Sequence, residues 1–550
     1  VRIDNTHSEY EGKLYASSSN TLTDGSSQGH YTVNNGQYSQ TYADVLVNIN
    51  KRIQDFTIVA NIGASYSGVT SKELGYAGPI RETGIPNLFN VYDLDNAKKR
   101  ATQVGWREAT ESIFASAEVG WKSMLYLTVT GRNDWASQLT HSPQASFFYP
   151  SVGLSAVITE ILKLPDWVDY LKVRGSFSSV GNPYPRFLTY PTYSYDANKQ
   201  DWKSQTNYPI GKLYPERTDS WEVGLDATLF KDFKLSGSFY YANTYNQTFD
   251  PRLPVSSGYD KLYVQTGYVR NYGFEAMLSY GHRWGDFGWD SSFTFSANKN
   301  EIVELVKDYV HPETGKTYNV DKLELKTDEG RGFGKAKFIL KEGGTLGDLY
   351  THADLKRDIN GNVLIDDSGN VTAIDNAGDI KLGSVLPKAN LAWKNSFCYK
   401  GINAGFLLTA RLGGIVYSAT QAYLDLYGVS ETSAAARDAG GVWINGRSRV
   451  NPQSFYEVVA SQSGLPTYYT YSATNLRLQE AHIGYTVPRR WLGNVCDINV
   501  SLVGRNLWMI YCKAPFDPEA VATTNNYYQG IDYFMMPSTR NIGFNIKINF

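Results

Sequence analysis

The chain closes on Asn541-Ile542-Gly543-Phe544-Asn545-Ile546-Lys547-Ile548-Asn549-Phe550. From Ile542 onward the even positions are all large and apolar: Ile542, Phe544, Ile546, Ile548 and Phe550. The odd positions carry only Gly, Asn or Lys. This period-2 alternation predicts a β-strand with one greasy and one wet face. On the edge of a soluble domain such a strand would invite aggregation. In a transmembrane barrel its apolar face meets acyl chains and its polar face meets a lumen. The stretch is therefore read as a terminal barrel strand.

Working back through the chain, the same alternation recurs in pairs. Residues 41–50 and 55–66 flank a short polar turn, and Phe56, Ile58, Ala60, Ile62, Ala64 and Tyr66 alternate with smaller or polar residues. Similar pairs are expected at 112–121 with 124–135, 151–159 with 170–180, and 221–230 with 233–249. Further pairs follow at 269–283 with 289–298, 388–399 with 402–417, and 475–487 with 497–511. Between pairs lie long polar stretches at 67–105, 182–215, 305–387, 418–473 and 513–537. Tight turns on one side and long loops on the other are the signature of an outer-membrane barrel. The count is about 15 strands, or 16 if residues 9–17 form one. The fold class is thus all-β, a transmembrane antiparallel β-barrel.

Composition agrees. No run of eighteen apolar residues is present, so no membrane-spanning helix is expected. The 41 Tyr and 12 Trp suit membrane–water boundaries. A net charge of −2 gives no field that would favour nucleic acid. Cys398, Cys496 and Cys512 are too few and too far apart along the strands for a disulfide framework, and three free thiols are expected. Val1 carries no leader pattern, and the chain reads as a fragment that begins inside a longer protein.

Several ordered blocks then carry a resemblance. Thr474-Asn475-Leu476-Arg477-Leu478-Gln479-Glu480 with Gly484-Tyr485-Thr486-Val487-Pro488 resembles the penultimate hairpin of SusC/RagA-type TonB-dependent transporters. Gly504-Arg505-Asn506-Leu507-Trp508, Asp517-Pro518-Glu519, Pro215-Glu216-Arg217 and Val269-Arg270-Asn271-Tyr272-Gly273-Phe274-Glu275 are similar to further blocks of that family. The resemblance implies a 22-stranded barrel with an N-terminal plug, of which residues 1–550 would be the C-terminal barrel portion. It implies active import of oligosaccharides or oligopeptides across the outer membrane of a Gram-negative bacterium of the Bacteroides group. The implied partners are a SusD-like lipoprotein lid, TonB through the N-terminal part, the plug and first strands of the same protein, and the lipid bilayer. A passive porin and a structural or adhesive barrel are the alternative readings.

Individual residues say less. Asp358, Asn360 and Asn362, followed by Asp366, place oxygens around a Gly turn and form the nearest approach to a calcium loop. Gly369 occupies the position where such a loop needs Glu, and an ordinary Asx/Gly turn is the plainer reading. Apart from calcium, no cofactor is expected. No nucleophile elbow or paired-carboxylate pattern supports an enzyme. Tyr468, Tyr469, Tyr471, Tyr527, Tyr528, Tyr533 and Phe534 cluster in the long loops, as contacts for a substrate or lid, or as loop packing. Residues 419–426 have helical spacing.

Overall fold

The computed structural model describes residues 1–549 apart from 189–192, 197–200, 204–206, 209–212, 250–260, 263, 311–314, 316, 326–333, 494 and 524–528. Phe550, Tyr527 and Tyr528 of the candidate residues lie outside the described residues.

Sixteen strands form one sheet, hydrogen-bonded in sequence order. They are β1 (Arg2–Leu14), β2 (His30–Ile53), β3 (Phe56–Pro79), β4 (Arg100–Trp121), β5 (Leu125–Ala136), β6 (Phe147–Val157), β7 (Val168–Asn182) and β8 (Glu216–Leu229). The sheet continues with β9 (Phe233–Phe249), β10 (Val264–Trp284), β11 (Phe287–Glu304), β12 (Ala389–Tyr399), β13 (Ile402–Leu412), β14 (Asn475–Val487), β15 (Asp497–Cys512) and β16 (Asn541–Asn549). Several short turns owe their tightness to left-handed backbone, which matches the twist of the paired strands. Lys122 and Ser123 have φ of 49° and 57°, Phe230 and Lys231 of 51° and 64°, and Lys400 and Gly401 of 46° and 90°.

Two boundaries differ instructively from the sequence reading. The segment 67–105, expected as a loop, is about half strand, because β3 runs on to Pro79 and β4 begins at Arg100. Its Ser, Thr, Gly and Tyr residues lack a greasy face, so backbone pairing is the only signal there. Conversely, the expected strand 402–417 breaks at Gly413-Gly414, with φ of 75° and 82°. Ile415–Ser418 then leaves the large sheet and pairs with Thr470–Ser472 and Ile531–Asp532.

Two compact units divide the chain: 1–154 with 177–219 and 248–265, and 155–176 with 220–247 and 266–550. The first holds β1–β5 and a partly buried polar network. Arg132 donates from Nε to Asp134 at 2.7 Å and from Nη2 to Ser112 at 2.7 Å, and the Tyr149 hydroxyl also donates to Asp134. The Arg186 guanidinium lies 3.5 Å from the Trp106 ring centre and pairs with Glu108 at 2.5 Å.

In the second unit the register sorts side chains by face. Leu278 faces Phe293, Phe293 faces Trp393, Trp393 faces Leu408, and Ile483 faces Leu502, which faces Phe544. Most of these large apolar side chains are exposed. The intervening rows are polar: Ser279 faces Ser292, which faces Lys394, and Ser501 faces Asn545. Ile542, Phe544, Ile546 and Ile548 all fall on the apolar face, against Gly504, Leu502, Val500 and Ile498.

The buried core lies elsewhere in this unit. Phe338, Leu349, Tyr417, Phe455, Tyr469 and Ile531 belong to one cluster drawn from three long connections, 305–388, 413–474 and 513–540. A four-stranded sheet of 322–325, 336–341, 348–351 and 380–384 supplies part of it. Helices α1 (Ala419–Leu426) and α3 (Pro452–Val459) add Ala419, Ala422, Phe455 and Val459, and α2 (Glu431–Asp438) packs against the cluster through Ala436. Each is capped by the side chain before it, Ser418, Ser430 or Asn451. The connections read as polar loops thus fold into a cap with its own core.

Candidate functional site

The polar face of β10–β13 opens into a cavity of about 780 Å³. Its lining mixes hydroxyls and amides, such as Ser236, Thr294, Asn390 and Gln479, with the charged groups Arg174, Glu275, Arg411 and Glu519. Gln479 stands at a bulge in β14, where the pairing with β13 skips a residue between Leu478 and Glu480. A bulge re-aims a side chain that strict alternation would send to the other face.

Two of the sequence blocks meet at the cavity rim. Arg477, in β14 and only 6 % exposed, donates from Nη2 to Asp517 at 2.8 Å and pairs with Glu519 at 3.2 Å. Asn475 donates to the other oxygen of Glu519 at 3.2 Å. Burial alone would push the Asp517 carboxyl up. Hydrogen bonds from Arg477 and from the Glu519 N–H outweigh it and hold the group below the usual carboxylate range. Arg411 reaches from β13 to the cap, donating to the Val385 carbonyl at 2.7 Å. Arg174 is bound to Asp226 at 2.7 Å and Glu222 at 3.4 Å.

The loop aromatics have several fates. Tyr469 is in the cap core and donates to Asp425 at 3.0 Å, where Ser430 and Gln421 also donate. Tyr468 is partly exposed and packs edge-on against Phe455 at 6.1 Å. Tyr471 packs edge-on against Phe516 at 5.6 Å, and burial pushes its hydroxyl up to about 12. Tyr533 and Phe534 join Tyr423 in an aromatic group, with Phe534 57 % exposed.

Asp358 and Asp366 do not converge on one site. Asp358 Oδ1 accepts the N–H groups of Asn360 and Asn362, and Asp366 Oδ1 those of Ser368 and Asn370. Each carboxylate closes its own turn, with Gly361 and Gly369 at φ of 83° and 82°. Among the described residues no three His, Cys, Asp or Glu side chains gather around a common point.

The sequence reading did not single out Arg174, Glu275 or Arg411 individually. The available signal was parity, since charged residues at alternate positions of a strand with an apolar face must share its polar side.

Residues 2–507 match the family model described as TonB dependent receptor-like, beta-barrel. TonB-dependent receptor P3 of Formosa agariphila is 24 % identical over 524 residues, covering 88 % of this chain and 50 % of that protein. TonB-dependent receptor SusC of Bacteroides thetaiotaomicron is 24 % identical over 433 residues, covering 72 % of this chain and 40 % of that protein. The structure of the RagAB peptide transporter superposes with a TM-score of 0.74 at 17 % identity, covering 100 % of this chain and 59 % of that one. The chain spans about half the length of the first of these relatives.

Proposed function

The chain belongs to the TonB-dependent receptor-like β-barrel family, whose members are outer-membrane receptors and transporters rather than enzymes, and on that premise we propose that it is the wall of an active nutrient importer. The cargo is an oligosaccharide or oligopeptide, taken up with a SusD-like surface lipoprotein and energised through TonB. The bacterium belongs to the group of its relatives in Formosa and Bacteroides.

The observation that carries this reading is the cavity. It stands on the polar face of a sheet whose other face is apolar, and its lining carries hydrogen-bonding and charged side chains among apolar residues such as Met277 and Leu391. Such a wall can hold a polar solute by many weak contacts and release it again, whereas chemistry would require a converging reactive pair. The apolar face supplies the bilayer contact that a wall in the outer membrane needs.

The test is uptake by cells carrying the full-length protein, before and after collapse of the inner-membrane proton gradient. Uptake that stops on collapse supports active import. Uptake that persists would overturn it in favour of a passive pore. Unchanged growth on every polymeric nutrient after deletion, with lost surface attachment, would favour an adhesive role.

A further inference from the structure

Glu275 and Arg411 stand in one row of the wall. Glu275 faces Ser296 across β10 and β11, Ser296 faces Asn390 across β11 and β12, and Asn390 faces Arg411 across β12 and β13. A carboxylate and a guanidinium are therefore three strand spacings apart, roughly 14 Å between Cα atoms at about 4.8 Å per strand. Two neutral hydrogen-bonding side chains lie between them. All four residues line the same cavity.

The two ends also differ from the cavity's other charges. Arg174 is held by two carboxylates, and Glu519 by Arg477 and Asn475. Among the described residues, neither Glu275 nor Arg411 makes an ion pair. Arg411 donates one N–H to the Val385 carbonyl, and its buried Nε has no partner among the described residues. A guanidinium has five N–H donors, so most of its capacity is unspent.

We propose that this row receives a short oligopeptide with free ends, its terminal carboxylate on Arg411 and its terminal ammonium on Glu275. An extended chain advances about 3.3–3.6 Å per residue, so roughly four residues span the row. Ser296 and Asn390 meet the backbone between the ends. A neutral glycan can hydrogen-bond to both groups but neutralises neither charge, and an acidic one neutralises only that of Arg411. The inference rests on the import reading and narrows its cargo.

The test is binding of tetra-alanine to the full-length protein purified from the outer membrane, beside its N-acetylated and C-amidated forms. Each block is expected to weaken binding by about tenfold, the worth of one charge-assisted contact at a partly wet site. Arg411→Gln should abolish the effect of amidation and leave that of acetylation, and Glu275→Gln should do the reverse. Arg411→Lys should keep part of the carboxylate preference, and heat-modifiable gel mobility should show each variant folded. Equal binding of free and blocked peptides, undetectable binding of all of them, or blocking effects that survive both substitutions would overturn the proposal. Energised uptake of some other cargo would then leave the import reading standing. End-selective binding with uptake that survives loss of the proton gradient would sink the import reading and keep the receptor.

Discussion

Leu502 and Phe338 are large apolar side chains on β-strands of the same unit, yet the first is 55 % exposed and the second 1 %. Leu502 belongs to a wall whose apolar face turns outward to lipid, so its polar face is the one that carries hydrogen-bonding and charged side chains. Phe338 belongs to the cap, which buries its apolar residues as a water-soluble domain does. The wall is held by ladder hydrogen bonds and bilayer contact, and the cap by packing. Substitutions of one chemical kind should therefore act through different physics in the two places.

The largest effect is expected in the cap. Phe338→Ala removes a buried ring and should cost about 3–5 kcal/mol. Limited proteolysis should then cut within 305–388, while heat-modifiable mobility stays that of the intact wall. Loss of both together would show that cap and wall fold as one cooperative unit. Leu502→Arg should cost about 2–4 kcal/mol if it lies deep in the bilayer, read as reduced outer-membrane insertion. Ser501→Lys, one residue away on the polar face, should insert normally, and equal defects would break the two-faced assignment.

A smaller effect is expected from Tyr469→Phe. It keeps the ring and deletes one of the three donors to the buried Asp425 carboxylate, for about 1–3 kcal/mol. Hydrogen exchange in α1 and α3 should report it. The smallest concerns Asp379, an ion-pair partner of Lys322 and Lys341 at 2.7 Å each, with His352 Nε2 at 2.9 Å. Hydrogen bonds from those lysines hold its carboxyl well below the usual 3.8. A depressed carboxylate contributes stability above its unfolded value and loses it as pH falls through the folded one. Cap protection against exchange should thus be flat from neutral pH down to about 5 on this account and decline only below about 4. The paired side chains are only partly buried, so screening keeps the change slight.

The wall was legible in the sequence where lipid contact enforces alternation. Asn475–Val487 was read with both ends as found, and the 497–511 strand to within one residue, because Ile483, Tyr485, Val500 and Leu502 mark every second position. Legibility failed in β3 and β4 past Tyr66, where Ser67, Gly68 and Thr70 need no greasy face and the alternation fades. The helix at 419–426 was legible, since Ala419 and Ala422 follow the helical period and are buried. The cap as a whole was not. Its core joins Phe338, Tyr417, Phe455 and Ile531, which lie far apart in sequence and share no period. The candidate site divides the same way. Its two polar blocks were visible as Arg477 and Asp517-Pro518-Glu519, but their ion pair spans 40 positions and only the fold brings it together.

The parallel pairing of Tyr417-Ser418 with Ile531-Asp532 also has a meaning in time. The Ser418 hydroxyl donates to Asp532 across 114 positions, and Ile531 completes the cap core only ten residues before β16 begins. Closing so long a loop is slow, because its entropy is spent before any contact repays it. The cap is therefore expected to mature last, after β12–β15 have emerged and paired. Pulse-labelled protein should gain heat-modifiable mobility before its 413–474 segment resists protease, and the opposite order would show that the cap nucleates assembly.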